Sequence, residues 1–158
     1  MRTGATMGRL PRRLARRVRI AVVRAEFNAQ ITRSLERACL GALRSAGIAE
    51  GRVERFSVPG CFELPLMAQR LALRKRYDAV IVLGAVIRGD TYHFELVANE
   101  CARGIMDVSL RHNLPVIFEV LAVNSRRDAL RRAGDNRMNK GLEAASAALA
   151  MLERLDSL

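Results

Sequence analysis

Short apolar runs alternate with stretches of helical periodicity along most of this chain. Four runs have the length and composition of β-strands: residues 18–23, 53–58, 79–83 and 115–121. Strands that alternate with helices are typical of βαβ units and a parallel sheet. Because such crossovers are right-handed, we expect a single-domain α/β protein, a flavodoxin-like three-layer sandwich with a four-stranded parallel sheet flanked by helices.

The segments between and after these strands carry the helices. Apolar residues recur at helical spacing over residues 31–43, 64–71, 96–111 and 142–152, and a further short helix is predicted between Ser125 and Gly134. Gly47 is placed to end the first of these helices, and Pro65 suits the first turn of the second. Ser125 and Asp128 form a capping pair for the fourth helix. This pattern leaves no room for a second domain.

The loop after the third strand is the strongest candidate for a functional site. The apolar run is predicted to end at Leu83, and a glycine-punctuated loop from Gly84 then leads to His93, one of two histidines. Ligands bind at the carboxyl ends of strands in open α/β sheets, and histidine transfers protons near neutral pH. The segments that follow the other strands are expected at the same rim: Phe27 and Asn28, residues 61–63 and residues 118–124.

Composition limits the class of protein. The chain has 158 residues, half of them apolar, which suits one domain with a sizeable core. No apolar stretch approaches the ~20 residues that cross a bilayer. The three cysteines lie far apart, so neither a metal knuckle nor a disulfide framework is predicted, and Cys39 and Cys101 fall on apolar helical faces. We therefore expect a soluble protein of a reducing compartment, the cytoplasm.

The positive charge is concentrated at the N-terminus. The chain has a net charge of +11, and residues 1–19 hold seven arginines and no acid, which leaves +4 for the rest once seven is subtracted. Residues 1–17 are predicted to be a basic, disordered arm ahead of a domain over residues 18–158. An anion-binding arm and an organelle-targeting segment are the alternatives, but serine is scarce and no aromatic residue is present for base stacking.

Three sequence blocks resemble those of one enzyme family. Residues 84–95, GAVIRGDTYHFE, are similar to G-x-x-I-R-G-[ED]-T-x-H-F-[DE], and residues 58–65, VPGCFELP, are similar to V-P-G-[AS]-x-E-[IL]-P. Residues 132–134, RAG, and 139–141, NKG, match a third pattern, R-A-G…N-K-G. With their order and similar spacing, these blocks resemble lumazine synthases from about residue 18 to the C-terminus.

The resemblance implies a reaction. Lumazine synthases condense 5-amino-6-(D-ribitylamino)uracil with 3,4-dihydroxy-2-butanone 4-phosphate, release phosphate and form 6,7-dimethyl-8-ribityllumazine in the penultimate step of riboflavin biosynthesis. The amine of one substrate is the nucleophile, so the enzyme needs orientation, a phosphate clamp and a proton shuttle, without a cofactor or a metal. The family also implies pentamers, decamers or 60-subunit capsids with active sites between subunits, and riboflavin synthase as a pathway contact.

The resemblance also implies roles for individual residues. It assigns proton transfer to His93 and stacking on the pyrimidine ring to Phe27. It assigns the other substrate contacts, including one from a neighbouring subunit, to Cys61, Phe62, Glu63, Ala85, Val86, Ile87 and Phe118. It assigns phosphate binding to Asp90, Thr91, Arg132 and Lys140. The amide of Asp90 is expected to bind the anion while its carboxylate turns to a partner such as Arg88.

Some positions depart from the family pattern. Cys61 replaces the usual alanine or serine, and its thiol suggests sensitivity to oxidation. Glu119 stands where glycine is common, and residues 135–138 differ from the usual Lys-x-Gly stretch, although the retained Asn-Lys-Gly favours a capsid. Two other functions stay open: a non-catalytic relative that binds flavin or lumazine, and a capsid protein that binds polyanions through residues 1–17.

Overall fold

The computed structural model describes residues 9–158. Its sheet consists of β1 Ile20–Ala25, β2 Val53–Val58, β3 Ala79–Ile87 and β4 Val116–Val123. The strand order is β2-β1-β3-β4, and every pairing is parallel. The central strands β1 and β3 are buried on both faces, which explains their apolar runs. The predicted four-stranded parallel sheet is confirmed.

Helices cover both faces of this sheet. They are α1 Arg12–Arg17, α2 Ala29–Ser45, α3 Leu64–Leu73, α4 His93–His112, α5 Arg126–Ala133 and α6 Lys140–Asp156. Helices α2, α5 and α6 pack on one face, and α3 and α4 pack on the other. Each face has its own apolar core, one around Leu35 and Leu149 and the other around Leu64 and Ile105. The three-layer arrangement is therefore as predicted.

Strand β3 is longer than the sequence indicated. The predicted loop at Gly84 is in fact strand, because residues 84–87 pair with residues 120–123 of β4. Packing explains why this strand position is a glycine: a Cβ on Gly84 would lie 2.5 Å from the sulfur of Cys61. The loop ahead of α4 is correspondingly short and spans residues 88–92.

The prediction of a disordered arm is wrong for residues 9–17. Leu10 and Leu14 are buried in the core below α2 and α6, and the second of them lies within α1. Arg13 and Arg17 each pair with a carboxylate oxygen of Asp156, at the end of α6, at 2.7 Å. These apolar and ionic contacts hold α1 on the domain. Residues 1–8 of the predicted arm lie outside the described residues.

Several helix ends follow the predicted chemistry. Helix α2 ends at Ser45 and Gly47 follows with a φ of 97°, a left-handed conformation that favours glycine. The Ser125 hydroxyl accepts a hydrogen bond from the backbone N–H of Asp128 at 3.1 Å, so the predicted capping pair is confirmed. Within residues 9–158, no helix is both long and apolar enough to cross a membrane.

The start of α6 packs closely against α2. Asn139 is buried: its Oδ1 accepts a hydrogen bond from Gly141 N–H at 2.8 Å, and its Nδ2 donates to the carbonyl groups of Ala133 and Gly134. A Cβ on Gly141 would lie 2.1 Å from the carbonyl oxygen of Leu35 in α2. The Asn and the Gly of the Asn-Lys-Gly block therefore serve the packing of α6 against α2.

Gly141→Ala should destabilise the protein by on the order of 2–3 kcal/mol, because the methyl group meets backbone atoms that have little freedom to move. Gly41→Ala, in α2, is the matched control: a Cβ there has no heavy atom within 4 Å. That change should stabilise the helix by about 0.5–1 kcal/mol. Urea denaturation of both variants measures the difference. Equal midpoints would contradict the close packing of α2 and α6.

Candidate functional site

The unequal lengths of two neighbouring strands leave a cleft at the carboxyl edge of the sheet. Strand β1 pairs with β3 only as far as Leu83, whereas β4 continues alongside β3 to Ile87. The backbone N–H of Arg88 donates to the carbonyl of Val123 at 2.9 Å. In a parallel ladder, every second residue of β3 therefore directs its backbone N–H and C=O groups toward β4. The backbone groups of Ala85 and Ile87 face the opposite side, where β1 has ended. An edge of peptide donors and acceptors is thus open to a ligand.

The cleft beside this edge has a volume of about 220 Å³. It is lined by Phe27, Asn28, Cys61, Ala85, Val86, Ile87, Gly89, Thr91, His93, Phe94 and Val97. Seven of these residues were predicted from the sequence, and the fold brings them together from three strand ends and the start of α4. Asn28 and Gly89 were expected at this rim but were given no role, and Phe94 and Val97 were missed. Gly89 and Phe94 belong to the quoted motif, which was the available signal.

Asn28 shapes the floor of the cleft. It takes up a left-handed conformation, with a φ of 59°, between β1 and α2. Asparagine is one of the few residues that tolerate this conformation. Its Nδ2 donates a hydrogen bond to the carbonyl oxygen of Ala85 at 2.9 Å. Asn28 therefore uses one acceptor of the open edge and leaves Ile87 free.

Phe27 projects from the wall of the cleft. Its side chain is 72 % exposed, so it does not contribute to either apolar core. The backbone N–H of Phe27 donates to the carbonyl of Pro59 at 3.0 Å, which fixes the segment after β1 against the turn after β2. An exposed aromatic ring on a fixed backbone presents its face to a flat ligand.

His93 is the first residue of α4 and lies across the cleft from the turn after β2. Its backbone N–H lies 3.4 Å from the hydroxyl oxygen of Thr91, which helps to begin the helix. The first N–H groups of a helix lack intrahelical partners and favour anions. The short loop and this helix start therefore combine a proton-transfer group with an anion-binding backbone.

Asp90 does not line the cleft, although its neighbour Thr91 does. The expectation that its carboxylate turns to Arg88 is wrong. Arg88 pairs with Glu95 of α4 and donates a hydrogen bond to Asn124 Oδ1 at 3.1 Å. The reason is geometric: Glu95, in the first turn of α4, reaches Arg88 from the helix.

Cys61 lies at the bottom of the cleft and is buried. Burial raises the pKa of its thiol to about 11, and a hydrogen bond with the backbone of Ala85 acts in the opposite direction. The thiolate is the reactive form of cysteine. Its burial and high pKa argue against the expected sensitivity to oxidation.

Phe62 and Glu63 line a second groove, which adjoins the cleft and shares Cys61, His93 and Val97 with it. One carboxylate oxygen of Glu63 accepts a hydrogen bond from Gly60 N–H at 2.9 Å. This bond holds the turn after β2 and leaves the other oxygen available. The three residues 61–63 thus extend the cleft in one direction.

Besides Asp90, three predicted site residues line neither the cleft nor the adjoining groove of their own chain, as far as residues 9–158 describe them. Phe118 is on the edge strand β4 and is 39 % exposed. Arg132 is on α5, in the helix layer opposite to α4, and donates to the carbonyl of Asp128 at 3.1 Å. Lys140 is paired with Glu143. A single chain therefore does not bring these side chains to His93.

Glu119, one of the unusual residues, is on β4 near Lys140 and Glu143. Its pKa is raised to about 7, above all by burial; Lys140 lowers the pKa and Glu143 raises it. Residues 135–138 form a turn in which Asn136 Oδ1 accepts a hydrogen bond from Met138 N–H at 2.7 Å. Among residues 9–158, no three His, Cys, Asp or Glu side chains are grouped so that they could hold a metal ion.

Comparison with protein families gives an independent result. The model of the family described as 6,7-dimethyl-8-ribityllumazine synthase matches residues 17–156. The match therefore covers nearly the whole chain, including the sheet, both helix layers and every residue of the cleft.

Cys61 should react slowly with iodoacetamide at neutral pH, on the order of 100-fold more slowly than glutathione, because little of the buried thiol is ionised. The rate should rise about tenfold per pH unit until the pH approaches 11. Peptide mapping by mass spectrometry measures this rate, and Cys61→Ser identifies the peptide. Alkylation as fast as that of glutathione at pH 7.5 would contradict the assigned environment.

Proposed function

Because the chain belongs to the 6,7-dimethyl-8-ribityllumazine synthase family, we propose that the cleft beside β3 is the site of its reaction. The protein is a transferase that condenses 5-amino-6-(D-ribitylamino)uracil with 3,4-dihydroxy-2-butanone 4-phosphate and releases phosphate. One observation carries the proposal: the open backbone edge of β3 lies between an exposed aromatic ring and His93. This arrangement suits a flat, hydrogen-bonding heterocycle that must lose and gain protons.

The pyrimidinedione binds along the open edge. Its ring carries N–H donors and carbonyl acceptors, which complement the peptide groups of Ile87 on the side of β3 that faces away from β4. Phe27 stacks on the ring face. Because these contacts use the main chain, the side chains of Ala85, Val86 and Ile87 serve mainly to keep the strand in place.

The ribityl chain extends from the cleft into the groove of residues 61–63. The free carboxylate oxygen of Glu63 accepts hydrogen bonds from its hydroxyl groups, while Phe62 covers the chain. Cys61 contributes packing at the junction of the cleft and the groove, where its neutral thiol adds no charge.

The phosphate of the second substrate binds at the start of α4. Thr91 and the backbone amides of residues 89–91 provide donors there, and the helix N-terminus favours the negative charge. Asp90 contributes through its amide. Arg132 and Lys140 supply the positive charge, and guanidinium groups bind phosphate in a bidentate manner.

The reaction needs proton transfers more than it needs a protein nucleophile. The substrate amine forms an imine with the ketone and water leaves, phosphate is then eliminated, and the ribitylamino nitrogen closes the ring with loss of a second water. His93 accepts and returns the protons of these steps from its position beside the ring. The cleft provides the rest of the catalysis by holding the two substrates together.

We place Phe118, Arg132 and Lys140 in the site of a neighbouring subunit. Their absence from the described lining of the cleft of their own chain supports this assignment. So does the small size of that cleft, since ligand pockets usually measure ~300 Å³ or more. Large apolar side chains are also exposed along one helix layer: Phe62, Leu66, Leu73, Leu96, Met106 and Leu110. A second copy of the chain is the partner that covers this face and completes the site.

Mixed oligomers test both the reaction and the shared site. His93→Ala should lower kcat by about 100-fold, and Arg132→Ala should raise the KM of the phosphate substrate. Co-expressed and randomly mixed, the two variants should regain activity at about a quarter of the sites, because some neighbours restore an intact pair. Lumazine absorbance at low phosphate-substrate concentration measures this gain.

The outcomes separate the alternatives. Activity of the mixture equal to the average of the two variants would place both residues in one chain. Wild-type protein that does not exceed the uncatalysed rate would favour the non-catalytic relative. Gel filtration of every sample controls for loss of the oligomer.

A second function is favoured because α1 is folded onto the domain and presents its arginines from a fixed helix. Arg13 and Arg17 are used in ion pairs with Asp156, whereas Arg9, Arg12 and Arg16 line a groove against the end of α2 and form no ion pair within residues 9–158. We propose that these three arginines bind the phosphate backbone of nucleic acid. No aromatic residue is among the described residues that line this groove, and contacts with phosphate alone are independent of base sequence.

Arg9→Ala, Arg12→Ala and Arg16→Ala together should weaken binding of a fluorescent, mixed-sequence RNA duplex and reduce the salt slope of log K by about 2–3. The control removes equal charge through Arg33, Arg37 and Arg127, which are exposed and form no ion pair in the described structure. Fluorescence anisotropy at several salt concentrations measures both. If the two triple variants lose RNA affinity equally, the binding depends on net charge alone and the proposed arginine groove is contradicted.

A further inference from the structure

Three residues of the motif around His93 have been given no part in substrate binding or proton transfer: Arg88, Phe94 and Glu95. We propose that Arg88 is a positioning residue, which fixes the first turn of α4, and with it His93, against the ends of β3 and β4. The inference rests on the proposed function, since it concerns the same cleft. It assigns Arg88 no contact with substrate.

The backbone and the side chain of Arg88 are anchored on the strand side. Its N–H donates to the carbonyl of Val123, the last residue of β4, at 2.9 Å. Its Nε donates to Asn124 Oδ1 at 3.1 Å, just beyond that strand. The start of the Arg88 side chain is therefore tied to β4.

The far end of the same side chain contacts α4. The Arg88 guanidinium carbon lies 4.4 Å from the centroid of the Phe94 ring, and its Nη1 pairs with Glu95. These two residues directly follow His93 in the first turn of the helix. The hydrogen bond from Arg88 holds the pKa of Glu95 below its ordinary value.

Apart from this bridge, few side-chain contacts restrain the loop that precedes His93 in the described structure. Residues 89–92 are exposed, and a Cβ on Gly89 would have no heavy atom within 4 Å. In the described structure, the side-chain hydrogen bond of this loop joins Thr91 to His93 itself. Arg88 thus connects the strand side of the cleft to the helix that carries the proton-transfer group.

A planar guanidinium is needed for this bridge. It donates to Asn124, pairs with Glu95 and lies over Phe94 at the same time, and a lysine ammonium provides only a point charge. Arg88 is also absent from the lining of the cleft. Both observations favour a positioning role over direct binding of the substrate phosphate.

The test compares Arg88→Ala, Arg88→Lys and Glu95→Gln by steady-state kinetics. Each should lower kcat by about tenfold or more, because small displacements of a reacting group are costly in rate. The KM of the pyrimidinedione should stay within about twofold, since β4 still holds the open edge of β3. The double variant Arg88→Ala/Glu95→Gln should be no slower than Arg88→Ala alone.

Two controls complete the design. Arg103→Ala removes another arginine of α4, which pairs with Glu100 and Asp107, and should leave the kinetics unchanged. Thermal unfolding of each variant identifies a loss of fold, and Glu95→Gln preserves the size of the side chain should Arg88→Ala fail to fold.

The outcomes also separate this proposal from the proposed function. Full activity of Arg88→Lys, or additive effects in the double variant, would overturn the bridge and favour a purely electrostatic role. Wild-type kinetics in Arg88→Ala, together with a slow His93→Ala enzyme, would overturn the positioning role of Arg88 and leave the proposed site standing. Full activity of His93→Ala would instead overturn the proposed function of the cleft.

Discussion

The site depends on one constraint: β3 has a partner on both sides as far as Leu83 and on only one side beyond it. Peptide groups inside a sheet are satisfied by their neighbours, so a strand that continues past the end of one neighbour exposes a row of donors and acceptors. Those groups remain rigid because β4 still pairs with the same residues on the other side. The protein thereby offers a fixed, polar edge without placing any charged side chain on it.

The other parts of the cleft are arranged around this edge by local backbone features. Asn28 turns the chain after β1 and hydrogen-bonds to Ala85, which sets the distance between the turn and the strand. Gly84 allows Cys61 to approach β3 closely, so that the turn after β2 closes the bottom of the cleft. Arg88 spans the remaining side toward α4. Each contact links a different element to the same strand.

The chain also shows how its charge is distributed between structure and surface. Two arginines of α1 fix the helix to Asp156, and two leucines beneath it join the core. A segment rich in positive charge thus folds by pairing with an acidic residue far away in the sequence. Glu36 has a comparable role, since this buried carboxylate pairs with Arg24 and Arg55 under α2. Breaking such a buried pair is costly, because one charge is left without a partner.

The sequence by itself determined the four parallel strands, the helices after them and the grouping of Phe27, Cys61 and His93 at one rim, because apolar periodicity and strand order are local properties of the chain. It also identified the family through three short blocks. Only the tertiary structure decided that Gly84 continues a strand, that Arg88 pairs with Glu95, and that residues 9–17 fold onto α6. Those outcomes depend on partners far away in the chain, such as β4 and Asp156, whose positions no local pattern encodes.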